Sequence, residues 1–320
     1  MPMVMRTVRS RSPPGSHNSL RAGHDKLLTI VAVALTFMCT DFALASCPGG
    51  WLEFDETSSN GALILIAQNN SDIPLTFTMN MDLRKLRASR RTTFTESLQP
   101  NESRPVITLT RRNESQRGNY HYETRCTIGN KDADHDDEVL YLLPYASGTS
   151  YPVLQGYGSR FSHTGRETYT VDFYMKVGTP VHAARGGIVA RVEESHSKGC
   201  WKDGCGAYAN FIIVVHADDT TGEYYHLQQD GALVEPGQRI EAGQLIGLSG
   251  NTGHTTMPHL HFGVYRAISW GREQSISVRY ATRDGIVSKP RRGGRYLATT
   301  QQRVSQGDDS AVTEKYQHLH

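Results

Sequence analysis

The sequence lacks a charge imbalance, a helical rhythm and, past its first 40 residues, any long apolar run. Thirty-four Lys and Arg against 32 Asp and Glu leave a formal net charge of +2 in 320 residues. Bulk electrostatics therefore give no reason to expect nucleic acid as a partner. Apolar runs are short and β-branched or aromatic: "GALILIAQ", "PLTFTMNM", "RPVITLT", "EVLYLLPY", "NFIIVVH" and "HLHFGVY". Turn formers separate them, and from about residue 150 onward no convincing helix interrupts the strands. That pattern predicts an all-β protein. At 38% hydrophobic and 21% charged, the chain has the composition of a soluble globular protein long enough for two domains.

Cysteine is also scarce, with five residues, and each has a reading. Basic residues in "RAGHDK" precede "LLTIVAVALTFMC", which is apolar but too short to span a membrane comfortably. Ala43 and Ala45 then form an A-x-A pattern. Residues 1–45 accordingly read as an export signal whose first 20 residues are a disordered leader. Cleavage after Ala45 removes Cys39 and leaves Cys47, Cys126, Cys200 and Cys205. An even number in an exported chain favours two disulfides. "CWKDGC" suggests a Cys200–Cys205 loop closure, which leaves Cys47 to pair with Cys126. Two alternatives stay open. Leu44-Ala45-Ser46-Cys47 also resembles a bacterial lipobox, which would put a lipid on Cys47, attach the chain to a membrane and leave Cys126 unpaired. The apolar stretch could also remain as an uncleaved anchor.

Residues 46–145 alternate short strands with polar turns and predict a small β-sandwich-like accessory domain. Its basic run, with Arg84, Lys85, Arg87, Arg90 and Arg91, reads as a solvated face. "DADHDDE", from Asp132 to Glu138, lacks the glycine and spacing of a calcium loop and reads as a solvated linker. "LPYASGTSYPVLQGYGSRFSHTG" marks a boundary, and a second antiparallel β domain is expected over 150–285. Beyond Arg266 one further strand is expected, and residues 289–320 read as a polar, disordered tail.

The second domain holds the candidates for chemistry. "MPHLHFGVY" places His259 and His261 on one face of a strand and Leu260 and Phe262 on the other. Two imidazoles one pleat apart can converge on a metal, although this motif alone is weak. A catalytic zinc commonly takes three protein ligands from His, Asp or Glu. Asp172 in "TYTVDFYM" is a carboxylate between apolar neighbours, costly unless a cation or a dense hydrogen-bond set meets it. His226 ends the aromatic strand "EYYHL", and His163 sits in "FSHTG". His182, His196, His216 and His254 fall outside the pattern, with His254 on a loop expected at the cleft rim.

These blocks, "FSHTGRETYTVDF", "YYHL" and "GQLIGLSGNTGHTTMPHLHF", resemble the M23 peptidases, the lysostaphin-type zinc metallopeptidases also found as the LytM domain. The resemblance spans roughly residues 155 to 266 and extends to exported proteobacterial members. It implies one zinc ion per chain, held by His163, Asp172 and His261. His226 and His259 become the catalytic histidines, with His259 as base and His226 as oxyanion donor or acid, roles that can be exchanged. It implies an exported endopeptidase in the periplasm or cell envelope of a Gram-negative bacterium, acting on the peptide stems and cross-links of peptidoglycan. A non-catalytic wall-binding or amidase-activating protein on the same fold is the alternative. A non-haem iron oxygenase would use similar ligands but usually places the first two as H-x-D. Two positions depart from the family pattern. Eight residues separate His163 from Asp172, more than in compact relatives. Met257 stands where glycine often precedes Pro-His-Leu-His, which bears on substrate preference.

Overall fold

The computed structural model describes residues 47–300. The export-signal reading of residues 1–45, with Cys39, Ala43 and Ala45, lies outside the described residues, as does the end of the tail with His318 and His320. Among the described residues the only helical segments are 3₁₀ turns at Gly165–Glu167 and Cys205–Tyr208; everything else regular is strand.

The first part of the chain is a sandwich. One sheet has the order Leu52–Ser59, Ala62–Asn69, Ser103–Arg111, Leu86–Ala88; the other is Thr93–Leu98, Leu75–Arg84, Asn119–Ile128. Alternation does the sorting. Leu63, Leu65 and Ala67 point inward from one sheet and meet Phe77, Met79 and Met81 from the other. On the opposite face of Leu75–Arg84, Thr78 is buried as well, because its hydroxyl accepts the Trp270 N–H at 2.7 Å from the second domain.

The second domain is built on an antiparallel sheet ordered Arg239–Ile240, Gly187–Glu193, Phe211–Val215, Thr221–Tyr225, Leu260–Ile268, Val171–Phe173, Val153–Gln155. Its two faces have different fates. Val171, Phe173, Ile212, Val214, Tyr224, Phe262 and Val264 bury one face in the main core. Phe211, Ile213 and Val215 turn to the other face and pack against Ile73, Leu75 and Ile128 of the sandwich. The first domain thus covers part of the sheet face on which the cleft opens.

Several sequence expectations change. Three strands follow Arg266, not one: Arg272–Ser275, Arg279–Thr282 and Gly285–Val287. Leu140–Leu142, within the stretch read as accessory, pairs in parallel with Arg279–Thr282 of the second domain. The tail is not disordered over residues 289–299. Val153–Gln155 is an edge strand with backbone groups to satisfy, and the tail supplies them: Val153 N donates to Gly294 O and Gly293 N to Val153 O. Ala298 is buried in the main core. "DADHDDE" is more than a solvated linker, because His135 contacts Asp218 at 3.2 Å and Arg185 pairs with the same carboxylate at 2.7 Å. Disulfides join Cys47 to Cys126 and Cys200 to Cys205, with Cα–Cα distances of 5.5 and 5.6 Å. Cys47 thus has Cys126 as its partner, as the cysteine count suggested.

His216, outside the site pattern, is buried with its Nδ1–H donating to Gly186 O at 2.9 Å. Burial, helped by the nearby Arg185 cation, pushes its pKa from 6.5 down to about 3. Only the unfolded chain takes up this proton between those values, so the contribution is complete above pH 6.5 and lost as pH falls toward 3. Denaturant unfolding of wild type between pH 7 and pH 5 is expected to show a stability loss of up to about 1 kcal/mol per pH unit from this residue. His216→Phe should start lower, without the Gly186 hydrogen bond, yet lose less on acidification.

Candidate metal centre

Strand register builds the centre. Asp172 stands directly opposite His261, and His261 directly opposite Tyr225, across three neighbouring strands. All three project to the sheet face away from the core, because Val171, Phe173, Leu260 and Phe262 occupy the core face. His163 arrives from the loop before the Gly165–Glu167 turn and is 1% exposed. Its Nδ1 lies 3.3 Å from Gly156 O. A carbonyl only accepts, so Nδ1 carries the proton and Nε2 is bare.

That bare Nε2 is 3.2 Å from Asp172 Oδ1, off the line a hydrogen bond needs, and has no other partner. His261 Nδ1 lies 2.8 Å from the same oxygen. The ligand atoms of His163, Asp172 and His261 all fall within 4.8 Å of one another. Burial alone would raise the Asp172 pKa, but the two imidazoles beside it hold the carboxyl well below the usual range. Burial likewise opposes charge on His261, and Asp172 outweighs it, so that imidazole is raised. Two nitrogens and one carboxylate oxygen crowd a point that only a proton or a metal cation can stabilise. Zinc and similar divalent ions take this donor set, so the residues fit such an ion.

His226 and His259 stand beside this trio, with ring centroids 4.5 Å apart. Each is pinned by a backbone carbonyl: His226 Nδ1–H donates to Thr252 O at 2.7 Å, and His259 Nδ1–H to Met257 O at 2.7 Å. Nε2 of each is left as the acceptor, and that of His259 lies 3.9 Å from Asp172 Oδ1. Burial pushes His226 down to about 3, with the neighbouring His259 and His261 adding to the effect. Burial also lowers His259, against the pull of Asp172. His226 holds a positive φ of 66°, a conformation uncommon outside glycine. It turns the chain where the aromatic strand ends and carries the ring into the cleft.

All five sequence-predicted residues line one cavity of about 770 Å³. His182, His196 and His216 do not line it, whereas His254 does, stacked on Trp201 with centroids 4.1 Å apart. Met257 is 42% exposed and lines the same cavity.

Sequence reasoning missed the residues that hold the trio. Gln155 Nε2 donates to Asp172 Oδ2 at 2.7 Å, and its own oxygen accepts from Ser159 and Ser162. Nothing in "VLQGYG" announces that role, because the contact is made across strands. Tyr265 was legible in principle: four residues beyond His261, it must share that face. Its hydroxyl lies 3.3 Å from His261 Nε2 and donates to Glu167 at 2.7 Å.

Residues 166–279 match the family described as Peptidase family M23. The chain carries a peptidase family M23 domain. The matched segment includes Asp172, His226, His259 and His261, with His163 just upstream. Over 91 residues the chain is 37% identical to the peptidoglycan DD-endopeptidase ShyA of Vibrio cholerae, covering 28% of this chain and 18% of that protein. Over 132 residues it is 34% identical to lysostaphin of Staphylococcus simulans, covering 41% and 23%. The match thus spans about a fifth of the length of these relatives. The solved structure of that lysostaphin covers 39% of this chain and 47% of its own, at 33% identity and a TM-score of 0.29.

The purified metal-free protein titrated with zinc is expected to bind one equivalent. His163→Ala and Asp172→Asn should each weaken binding by on the order of 100-fold or more, since each removes a ligand. His226→Ala should bind nearly as wild type. Equal affinities in all four proteins would exclude this centre.

Proposed function

We propose that the protein is an exported zinc metalloendopeptidase that hydrolyses peptide cross-links of bacterial peptidoglycan, acting in the periplasm or cell envelope. The observation that carries this reading is the meeting of one ligand atom each from His163, Asp172 and His261 within 4.8 Å of one another, beside two imidazoles whose Nδ1–H groups are held by backbone carbonyls. Relatives named as peptidoglycan and glycyl-glycine endopeptidases support the substrate class. Two disulfides suit an oxidising compartment outside the cytosol.

His163 Nε2, Asp172 Oδ1 and His261 Nδ1 would hold the zinc. Bound there, zinc polarises the scissile carbonyl and lowers the pKa of a water molecule. The remaining work falls to side chains. His259 is the better proton acceptor, because Asp172 lies 3.9 Å from its Nε2 and favours its charged form. Met257 O keeps the proton on Nδ1, so an incoming proton goes to Nε2 and can return from there to the leaving amine. His226, held by Thr252 O in the same tautomer, becomes a donor to developing negative charge only when Nε2 is protonated. Met257 and Trp201 are exposed large apolar residues beside the five polar ones in the cavity lining, and a peptide stem would enter past them. A filled ligand set and an open cleft favour catalysis over a purely wall-binding role.

Isolated peptidoglycan treated with residues 46–320 should lose cross-linked dimers to monomers when released muropeptides are weighed by mass spectrometry. A chelator should stop the reaction. His259→Ala should keep its metal and slow turnover by about 10²- to 10⁴-fold, the usual share of a general base. A wild-type protein that carries one zinc per chain yet cuts no dimer would move the assignment to the non-catalytic alternative.

A further inference from the structure

The metal-centre reading leaves one question about His261. Either ring nitrogen of a neutral imidazole can carry the proton, and only a bare Nδ1 can serve as the ligand atom facing Asp172 and His163. In this structure Nδ1–H donates to Asp172 Oδ1 at 2.8 Å; that proton must leave for a metal to bind at Nδ1, and the remaining one must then be held on Nε2. The Tyr265 hydroxyl is the group within hydrogen-bonding reach, at 3.3 Å, whereas Glu167 is 3.9 Å away. A phenol is ambiguous, because it can donate as well as accept. Were its proton aimed at His261 Nε2, the imidazole proton would be driven to Nδ1, where it would block the ligand position.

Glu167 removes the ambiguity. A carboxylate only accepts, and its Oε2 lies 2.7 Å from the Tyr265 oxygen. The single phenolic proton is drawn there, which leaves the oxygen lone pair for His261 Nε2–H. Resting on the proposed metal centre, we infer that Glu167 and Tyr265 are positioning residues forming a directed relay, His261 Nε2–H to Tyr265 to Glu167, that fixes the tautomer and ring orientation of the third metal ligand.

Two features of the chain are arranged for this relay. A Cβ built on Gly263 would lie 2.7 Å from Tyr265 Cε2 and 2.8 Å from Thr170 Cγ2. The Tyr265 ring therefore occupies the place of the missing side chain, lying back along its own strand toward His261. Any larger residue at 263 would push the ring away. Glu167 comes from the 3₁₀ turn four residues after His163, and Gln274 Nε2 donates to that turn at Gly165 O. The relay thus ties the segment that carries the first ligand to the strand that carries the third. Hydrogen-bond partners of ligating histidines commonly change metal affinity by about 10- to 100-fold.

The test is zinc affinity by chelator competition at one fixed pH, alongside unfolding of the metal-free proteins. Tyr265→Phe keeps the ring over Gly263 and removes only the hydroxyl. It is expected to bind zinc about 10- to 100-fold more weakly than wild type, while the metal-free variant still unfolds cooperatively, with a midpoint lowered only as one lost hydrogen bond requires. Glu167→Ala should shift affinity in the same direction by less, because water can replace the carboxylate, and it serves if Tyr265→Phe fails to fold. In metal-loaded wild type labelled with ¹⁵N-histidine, the His261 proton should be found on Nε2 and protected from exchange, with that protection lost in Tyr265→Phe. Wild-type zinc affinity in both variants would overturn the relay while leaving the metal centre standing. Wild type that takes up no zinc would overturn the metal centre itself, and with it the relay.

Discussion

His163 Nε2, Asp172 Oδ1 and His261 Nδ1 are held within 4.8 Å of one another, the last two joined by a 2.8 Å hydrogen bond in which Nδ1–H donates to the carboxylate, while His163 Nε2 has no partner. Around them, the neighbouring groups are pinned by hydrogen bonds of their own. Gly156 O takes the Nδ1 proton of His163, Gln155 supplies the other Asp172 oxygen, and Met257 O and Thr252 O fix the two neighbouring histidines. A buried polar trio in this state is costly when left unmatched. A divalent cation seated among these atoms would offset that cost, which is the physical basis of the proposed metal centre.

The scaffold is suited to hold such a constraint. Antiparallel pairing fixes Asp172 opposite His261 and leaves no freedom to slip, since a shift of one residue would carry Phe173, Leu260 and Phe262 out of the core. One sheet face is given entirely to that core. The other is shared, with Phe211, Ile213 and Val215 sealed by the sandwich domain and Asp172 and His261 facing the open cleft. The accessory domain is therefore part of the packing that supports the site. The tail performs a similar service at the far edge, where its backbone pairs with Val153 two residues from Gln155.

The strands were legible because their alternation is local. "HLHFGVY" shows in its own letters that His259 and His261 share a face, and a carboxylate amid the apolar residues of "TVDFYM" signals an unmet partner. His226 was visible as a histidine closing an aromatic strand. What could not be read depends on contacts between segments far apart in the chain. Gln155 meets Asp172 only because two short strands pair, and residues 289–299 look polar and unburied until an edge strand needs them. Of the strands after Arg266, Arg279–Thr282 was obscured for the same reason, since Leu140–Leu142 pairs with it from 139 residues earlier. Gly263 carried a signal, but its meaning appears only when the Tyr265 ring is seen in its place.

The most direct test of this account is X-ray absorption spectroscopy of the zinc-loaded protein. Convergence of His163, Asp172 and His261 predicts two imidazole nitrogens at about 2.0–2.1 Å together with oxygen ligands at about 2.0–2.2 Å. One imidazole should disappear from the spectrum in His261→Ala. A zinc bound by oxygens alone, or one whose two imidazoles survive that substitution, would contradict it.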